Sequence, residues 1–155
     1  MKRLHIHIGV EDLDAGIRFY TALFGAKPLK IEADYAKWML DDPRVNFAIS
    51  TRASKKGVDH LGIQADENDE LAEIRARVKA AGMAVFDEGE TVCCYAKSDK
   101  SWLQDPAGVP WEAYRTMEDA RMFASKAAAG ENACCAERPA VEEPCCEAKG
   151  AGCCQ

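Results

Sequence analysis

The stretch LHIHIGV at positions 4–10 alternates apolar residues with His5, His7 and Gly9. An alternation with a period of two predicts a β-strand, in which every second side chain lies on the same face. Both histidines are therefore predicted to point to one side of this strand.

The residues after this strand predict a helix and three short strands. Asp12 is a residue type that caps helices, and Gly25 is a stop signal. Strand-like runs follow at 28–31, 35–40 and 45–50. Between the cap and the stop, apolar residues recur at the three- and four-residue steps of one helix face, at Leu13, Ile17, Tyr20 and Phe24.

The same order of elements recurs in the second half of the chain. A strand at 58–65 carries His60, as the first strand carries His5, and a charged helix follows that ends at Gly82. The apolar face of this helix contains Leu71, Ile74 and Val78, and further strands are predicted at 83–86, 93–97, 102–104 and 110–114.

Repeated units of this kind usually bury their apolar faces against each other. We therefore expect an α+β domain over residues 1–117, built from two β-α-β-β-β modules at about 1–54 and 55–117. Their sheets are predicted to face each other around a metal cleft.

The chain contains eight cysteines and three histidines, and every cysteine adjoins another. Such pairs are not spaced to join distant segments, and the N-terminus lacks the apolar run of a secretory leader. We therefore expect a reducing, cytoplasmic location, where thiols stay available to soft metal or metalloid ions.

The end of the chain differs from the rest in composition. A C-terminal helix is predicted over 118–129, and residues 130–155 form a predicted flexible tail without aromatic residues. The tail holds three cysteine pairs as accessory thiols for product, substrate or metals, at Cys134 and Cys135, Cys145 and Cys146, and Cys153 and Cys154.

Charge and hydropathy exclude two classes of partner. A net charge of −6 offers no basic stripe for nucleic acid. No segment approaches the ~18 apolar residues that a membrane-spanning helix needs. We expect neither a nucleic-acid partner nor a membrane.

His5, His60 and Glu112 are the candidate metal ligands. Glu112 stands in an otherwise core-like strand, where an unpaired buried charge would be costly. Two imidazoles and a carboxylate form the facial ligand set of non-haem Fe(II) oxygenases. On the residues alone, such histidines are more often core residues, and Glu112 can equally pair with Arg115 or Lys37.

His7 is predicted to face the same way as His5. It can be a hydrogen-bonded core residue, a support for a neighbouring ligand, or an alternative ligand. The sequence leaves these three roles open.

Three groups of motifs point to a known family over residues 3–116. They are His5-x4-Val10-x-Asp12-Leu13 with Phe19-Tyr20 and Phe24-Gly25, then Asp59-His60-Leu61-Gly62-Ile63, then Asp105-Pro106-x-Gly108-x2-Trp111-Glu112. Together they resemble the vicinal oxygen chelate superfamily, which includes glyoxalase, extradiol dioxygenases and fosfomycin-resistance proteins. The resemblance implies a divalent metal held by His5, His60 and Glu112.

The run TVCCYAKSDKSW at 91–102 resembles the carbon–arsenic lyase branch of that superfamily, whose relatives are also called cadmium-induced proteins. This implies an enzyme that cleaves the carbon–arsenic bond of trivalent organoarsenicals, such as methylarsenite and aromatic arsenicals, and releases arsenite. The implied cofactor is Fe(II), with O2 as co-substrate and other divalent metals expected in the purified protein.

Cys93 and Cys94 are the candidate substrate-binding pair. Trivalent arsenic is thiophilic, and a monosubstituted arsenical has two further valences that adjacent thiolates can occupy. Neighbouring side chains of a regular strand point to opposite faces, so joint chelation predicts a loop or bulge over 92–97 at the cleft rim. Alternatively, one cysteine is a small core residue.

Two other functions fit the sequence. One is a different enzyme of the same superfamily, such as a glyoxalase-like metalloenzyme or a thiol-transferring resistance protein. The other is non-enzymatic sequestration of arsenic or cadmium by thiols, which the tail pairs favour. We expect a small trivalent organoarsenical as partner and a monomer or homodimer.

Overall fold

Two copies of the order β-α-β-β-β build the part of the chain that the computed structural model describes, residues 1–93 and 95–119. This confirms the predicted repeat. The first copy contains β1 (Arg3–Gly9), α1 (Leu13–Phe24), β2 (Lys30–Glu32), β3 (Tyr35–Asp41) and β4 (Arg44–Ser50). The second contains β5 (Gly57–Ala65), α2 (Asn68–Ala80), β6 (Phe86–Cys93), β7 (Ala96–Gln104) and β8 (Pro110–Asp119).

The two modules join edge to edge through β1 and β5, which pair antiparallel. The result is one eight-stranded sheet in the order β2-β3-β4-β1-β5-β8-β7-β6. In each half the opening strand pairs parallel to the closing one, β1 with β4 and β5 with β8. The opening strands that carry histidine therefore lie side by side at the centre of the sheet.

Helix α1 begins and ends where its sequence signals predict. The Asp12 carboxylate accepts a hydrogen bond from the Ala15 N–H at 2.9 Å, and Gly25 adopts the left-handed conformation with φ 62°. The apolar face of α1 packs against a buried cluster from β3 and β4, with Tyr20 centred 4.5 Å from the Phe47 ring. This cluster contains Ala36, Trp38, Val45, Phe47 and Ile49.

Helix α2 covers the second half of the sheet in the same way. Leu71 and Ile74 are buried against Ala65 and Ala113, with Val78 packed beside them. The two helices therefore lie over separate cores, one for each module. Neither α1 nor α2, the helices of the described residues, is long and apolar enough to span a membrane.

Three sequence predictions in the second module are wrong. The strand predicted at 83–86 instead runs over Phe86–Cys93, and the strand predicted at 93–97 is divided between β6 and β7. β6 is an edge strand rich in charged residues, so it lacks the apolar alternation that marked the other strands. The predicted loop or bulge over 92–97 is a tight hairpin, because β6 and β7 stay paired from Val92 with Lys97 to Cys93 with Ala96.

The helix predicted over 118–129 starts too early. Glu118 and Asp119 belong to β8, where they pair with Lys97 and Ala96 of β7. The remaining positions of that helix, and the tail over 130–155 with its six cysteines, lie outside the described residues.

Candidate metal centre

Three adjacent central strands bring the predicted ligands together. In the register, His5 of β1 stands opposite Gly62 of β5, and Gly62 stands opposite Glu112 of β8. His60 stands opposite His7 two pairs further along. A Cβ atom at Gly62 would lie 2.6 Å from the Glu112 carbonyl oxygen and 2.7 Å from its Cγ. The absence of a side chain at position 62 therefore makes room for Glu112.

Three donor atoms converge in this space. The Nε2 atoms of His5 and His60 are 3.3 Å apart. The Oε1 atom of Glu112 lies 3.3 Å from the first and 3.6 Å from the second. Ligand atoms bound at about 2.0 to 2.2 Å around one divalent cation are separated by distances of this order.

The remaining ring nitrogens fix the tautomers of both histidines. His5 Nδ1 lies 3.0 Å from the Asn46 carbonyl oxygen, which can only accept, so Nδ1–H donates to it. His60 Nδ1 lies 2.8 Å from Asp59 Oδ2, again an acceptor. The Nε2 of the neutral His5 consequently presents a lone pair toward Glu112, and His60 Nε2 presents one whenever that ring is neutral, which is the form in which histidine binds a metal.

The second oxygen of Glu112 is held by a buried cation. Lys100 Nζ lies 3.2 Å from Glu112 Oε2, and the two residues are 5% and 3% exposed. Burial raises the pKa of Glu112, but the Lys100 ammonium and the nearby His60 ring lower it by more, so that the pKa lies well below its usual value. Glu112 is therefore an ionised carboxylate at neutral pH.

The three histidines differ in their titration. Burial lowers the pKa of His5 to about 4 and that of His7 to about 3, so both are neutral at pH 7. Burial also lowers the pKa of His60, but its hydrogen bond with Asp59 and the nearby Glu112 carboxylate outweigh this effect and raise the pKa. Two imidazoles and one carboxylate in this arrangement fit a divalent transition metal.

His7 lies beside these donors. Its Nε2 is 3.0 Å from Ser50 Oγ, and one ring nitrogen lies within 4.8 Å of ring nitrogens of His5 and His60. Its ring centre is 4.8 Å from that of His60. This position is compatible with a role as a neighbour of the ligands and as an alternative ligand, so the role of His7 stays a prediction.

A cavity of about 370 Å³, partly open to solvent, adjoins the centre. Both halves of the sheet line it, with Tyr35 and Lys37 from the first module and Cys93, Lys100 and Tyr114 from the second. His5 and Glu112 line the same cavity. A ligand in this space would contact two of the candidate metal ligands, His5 and Glu112, together with Cys93.

Cys93 is 3% exposed and disulfide-bonded in the structure, and Cys94 lies outside the described residues. The sulfur of Cys93 must therefore be reduced before it can act as a thiolate ligand. Cys93 and Glu112 line the same cavity, and the role of Cys93 in substrate binding stays a prediction.

Several residues of this site were absent from the sequence-based list. Lys100 lies within the 91–102 run and Asp59 directly precedes His60, so both stood in motifs that were quoted. Asn46 acts through its backbone carbonyl, for which the sequence carries no signal. Gly62 also stood in a motif, yet its role follows only from the strand register.

Comparison with known proteins identifies the family to which this chain is similar. The family described as the Glyoxalase/Bleomycin resistance protein/Dioxygenase superfamily matches residues 2–113. The "Trivalent organoarsenical cleaving enzyme" of Bacillus sp. (strain MD1) is 37% identical over 155 residues, 94% of this chain and 91% of that protein. The "Cadmium-induced protein CadI" of Mycobacterium bovis is 33% identical over 126 residues, 81% of this chain and 83% of that protein.

A solved structure shares the fold. The Mn(II)-bound glyoxalase from Novosphingobium aromaticivorans superposes with a TM-score of 0.54 at 23% sequence identity, over 81% of this chain and 44% of that one. At this identity the likeness supports the fold alone.

Proposed function

This chain belongs to the Glyoxalase/Bleomycin resistance protein/Dioxygenase superfamily, in the branch of its organoarsenical-cleaving and cadmium-induced relatives, and we propose that it cleaves the carbon–arsenic bond of trivalent organoarsenicals. The proposed substrates are methylarsenite and aromatic arsenicals, and the proposed arsenic product is arsenite. The proposal includes Fe(II) as the resident metal and O2 as co-substrate.

One observation carries this proposal: Cys93 lines the same cavity as His5 and Glu112. A thiophilic substrate bound there would lie within reach of the candidate metal ligands. The activity named for the 37% identical relative supports the same chemistry.

His5, His60 and Glu112 would hold the Fe(II). When bound, Fe(II) would supply the activation of O2. Asp59 keeps the His60 Nε2 lone pair directed at the metal position. Lys100 holds Oε2 of Glu112, which leaves Oε1 directed at the histidines.

Cys93 and Cys94 would bind the arsenic in the reduced protein. Each thiol forms one sulfur–arsenic bond, and the two hydroxyl groups of methylarsenite leave as water with the two thiol protons. This step transfers no electrons, and the methyl group stays on arsenic. The cavity then holds the carbon–arsenic bond close to the metal position, where positioning lowers the barrier.

The test is an aerobic turnover assay with speciation of the arsenic. The reduced chain is loaded with Fe(II) without oxygen, mixed with methylarsenite and then exposed to air. We expect arsenite to appear in amounts exceeding the enzyme, and none in controls without air or without metal. Recovery of all the arsenic as methylarsenite after denaturation would refute the proposed reaction.

Sequestration of arsenic or cadmium by thiols is the second candidate. The 33% identity to a relative named as cadmium-induced favours it, as does the presence of three cysteine pairs after residue 130. Under this function the same assay returns a fixed number of bound methylarsenite molecules per chain. Turnover beyond that stoichiometry separates the two candidates.

A further inference from the structure

The turn between β6 and β7 has an unusual residue at a demanding position. β6 ends at Cys93 and β7 begins at Ala96, so the connection is two residues long. Its second residue, Tyr95, has φ 61° and is the one non-glycine residue with positive φ among residues 1–93 and 95–119. Hairpin positions with positive φ favour Gly, Asn or Asp, so contacts elsewhere must hold Tyr95 there.

The phenol of Tyr95 supplies the first of these contacts. Its O–H donates to Asp34 Oδ1 at 2.6 Å. Asp34 lies in the turn between β2 and β3, and its other oxygen is paired with Arg52 Nε. The acceptor of this hydrogen bond is therefore a carboxylate that is itself held in place.

The backbone and ring of Tyr95 are held as well. Lys30 Nζ donates to the Tyr95 carbonyl oxygen at 3.0 Å and lies 5.4 Å from the ring centre. The ring packs on Tyr35 at a centroid distance of 5.7 Å, and Tyr95 is 8% exposed. Three residues of the first module thus hold one turn residue of the second.

These contacts join the two ends of the sheet. In the strand order β2 and β6 are the opposite edges, yet the β2–β3 hairpin and the β6–β7 turn meet through Tyr95. The sheet therefore curls, and the contact closes it beside the cavity lined by Cys93 and Tyr35.

We propose that Tyr95 is a positioning residue for the β6–β7 turn, which we call the cysteine turn. Its hydrogen bond to Asp34 holds the end of the hairpin so that Cys93 stays at the cavity, where its reduced thiol takes part in arsenic capture. This inference rests on the proposed function and adds a residue to it. Without the hydrogen bond, arsenical binding must itself order the turn, and the entropy of that ordering weakens affinity. The candidate metal ligands lie on β1, β5 and β8, so we expect metal binding to be independent of the Tyr95–Asp34 hydrogen bond.

The test compares Tyr95→Phe with the unsubstituted turn in the full-length chain, with the six tail cysteines replaced by serine throughout. Only Cys93 and Cys94 can then bind methylarsenite in the reduced, metal-free protein, and calorimetry gives its Kd. We expect Kd to rise about tenfold, the effect of losing a hydrogen bond to a charged group. In aerobic turnover with Fe(II), KM should rise similarly and kcat should stay unchanged. In a separate sample loaded with Co(II) in place of Fe(II), the absorption spectrum of the bound metal should also stay unchanged.

Two further variants separate positioning from general destabilisation. Asp34→Asn keeps an acceptor oxygen and should weaken binding less, and combining it with Tyr95→Phe should add little to the single Tyr95→Phe effect. Asp99→Asn is the matched control. Asp99 lies on β7 of the same hairpin but away from the turn, and the substitution removes its ion pair with Arg75 of α2, which measures 2.7 Å. Its Kd should stay at the unsubstituted value.

An unchanged Kd in both Tyr95→Phe and Asp34→Asn would overturn the proposal, as would an equal loss in Asp99→Asn. If Tyr95→Phe does not fold, the methylarsenite Kd of Asp34→Asn decides: a raised Kd supports the proposal and an unchanged Kd overturns it. Tight binding without arsenite release would refute the proposed reaction while the Kd comparison still tests Tyr95. Absence of any binding to the Cys93 and Cys94 pair would overturn the positioning role itself.

Discussion

The metal centre and the cysteine turn are assembled in different ways. The centre lies in the middle of the sheet, where backbone pairing of β1, β5 and β8 sets His5, Gly62 and Glu112 side by side. The turn lies at the end of an edge hairpin, and side chains of the other module hold Tyr95. A register set by backbone hydrogen bonds depends on side chains only where the strands approach closely, as at Gly62, whereas a turn held by a few side chains depends on each of them. The two regions should therefore fail separately.

The largest effect is expected from removing one ligand. His60→Ala should lower kcat about a thousandfold or more, since a metal contributes several kcal/mol to catalysis, and it should leave methylarsenite binding intact. The double variant Cys93→Ser with Cys94→Ser should have the opposite pattern: it should still bind Fe(II) but should no longer bind methylarsenite at the turn. Metal content and calorimetry on both variants check this, and loss of both functions in either variant would show that the regions are not separable.

A smaller effect concerns the buried cation of the centre. Lys100→Met leaves the ionised Glu112 buried without its ammonium partner, so the free energy of unfolding of the metal-free protein should fall by about 3 kcal/mol. A bound divalent metal supplies the missing positive charge, and Co(II) should restore most of the loss. Urea denaturation with and without Co(II) measures both values.

Lys97→Met is the control for this prediction. Lys97 lies on β7, as Lys100 does, but its ion pair with Glu90 of β6, at 3.3 Å, is at the surface. Removal of this ion pair should lower the free energy of unfolding by under about 1 kcal/mol. Equal losses for the two lysines, or no recovery with Co(II), would contradict the role of Lys100.

Gly62→Ala tests the register directly. The added methyl group would lie 2.6 Å from the Glu112 carbonyl oxygen, so β8 must move away from β5. We expect a loss of about 1 to 3 kcal/mol in the free energy of unfolding, together with about tenfold weaker Co(II) binding because Glu112 shifts. The methylarsenite Kd at the cysteine turn should be unaffected. Unchanged Co(II) affinity would argue against register as the organising feature.

The smallest effect belongs to the turn and is seen only at high pH. The hydrogen bond to Asp34 raises the pKa of Tyr95 to about 12, so the neutral phenol is favoured in the folded state. Its contribution to stability is complete below pH 10 and is lost as the pH rises toward 12. Absorbance titration at the tyrosinate band should show one late-titrating tyrosine that Tyr95→Phe removes. A late component that persists in this variant would assign it to another tyrosine.

Much of the architecture was predictable because local signals and tertiary packing agree. The Asp12 cap, the Gly25 stop and the apolar spacing of α1 all matched the structure. β6 was missed because an edge strand with charged residues has no apolar period to detect. The start of the helix predicted at position 118 was wrong, because pairing with β7 extends β8 to Asp119.

The candidate site was predictable in part for a similar reason. His5, His60 and Glu112 were candidates as polar residues in strands with apolar neighbours, and the family resemblance selected them as ligands. The structure brings donor atoms of all three within 3.6 Å of one another. Tyr95 could not be found this way. Its role depends on Asp34 and Lys30, which are distant in sequence and meet it only when the sheet curls.

The sequence by itself determined the repeat of β-α-β-β-β modules, the histidine-bearing opening strands and the chemical types available for metal and arsenic. These follow from periodicity, capping and residue chemistry, which act over a few neighbouring positions. Only the tertiary structure decided that β1 and β5 join the halves, that Gly62 leaves room for Glu112, and that Tyr95 closes the sheet. Strand register and side-chain contacts between distant segments are set by packing of the whole chain, so no local pattern contains them.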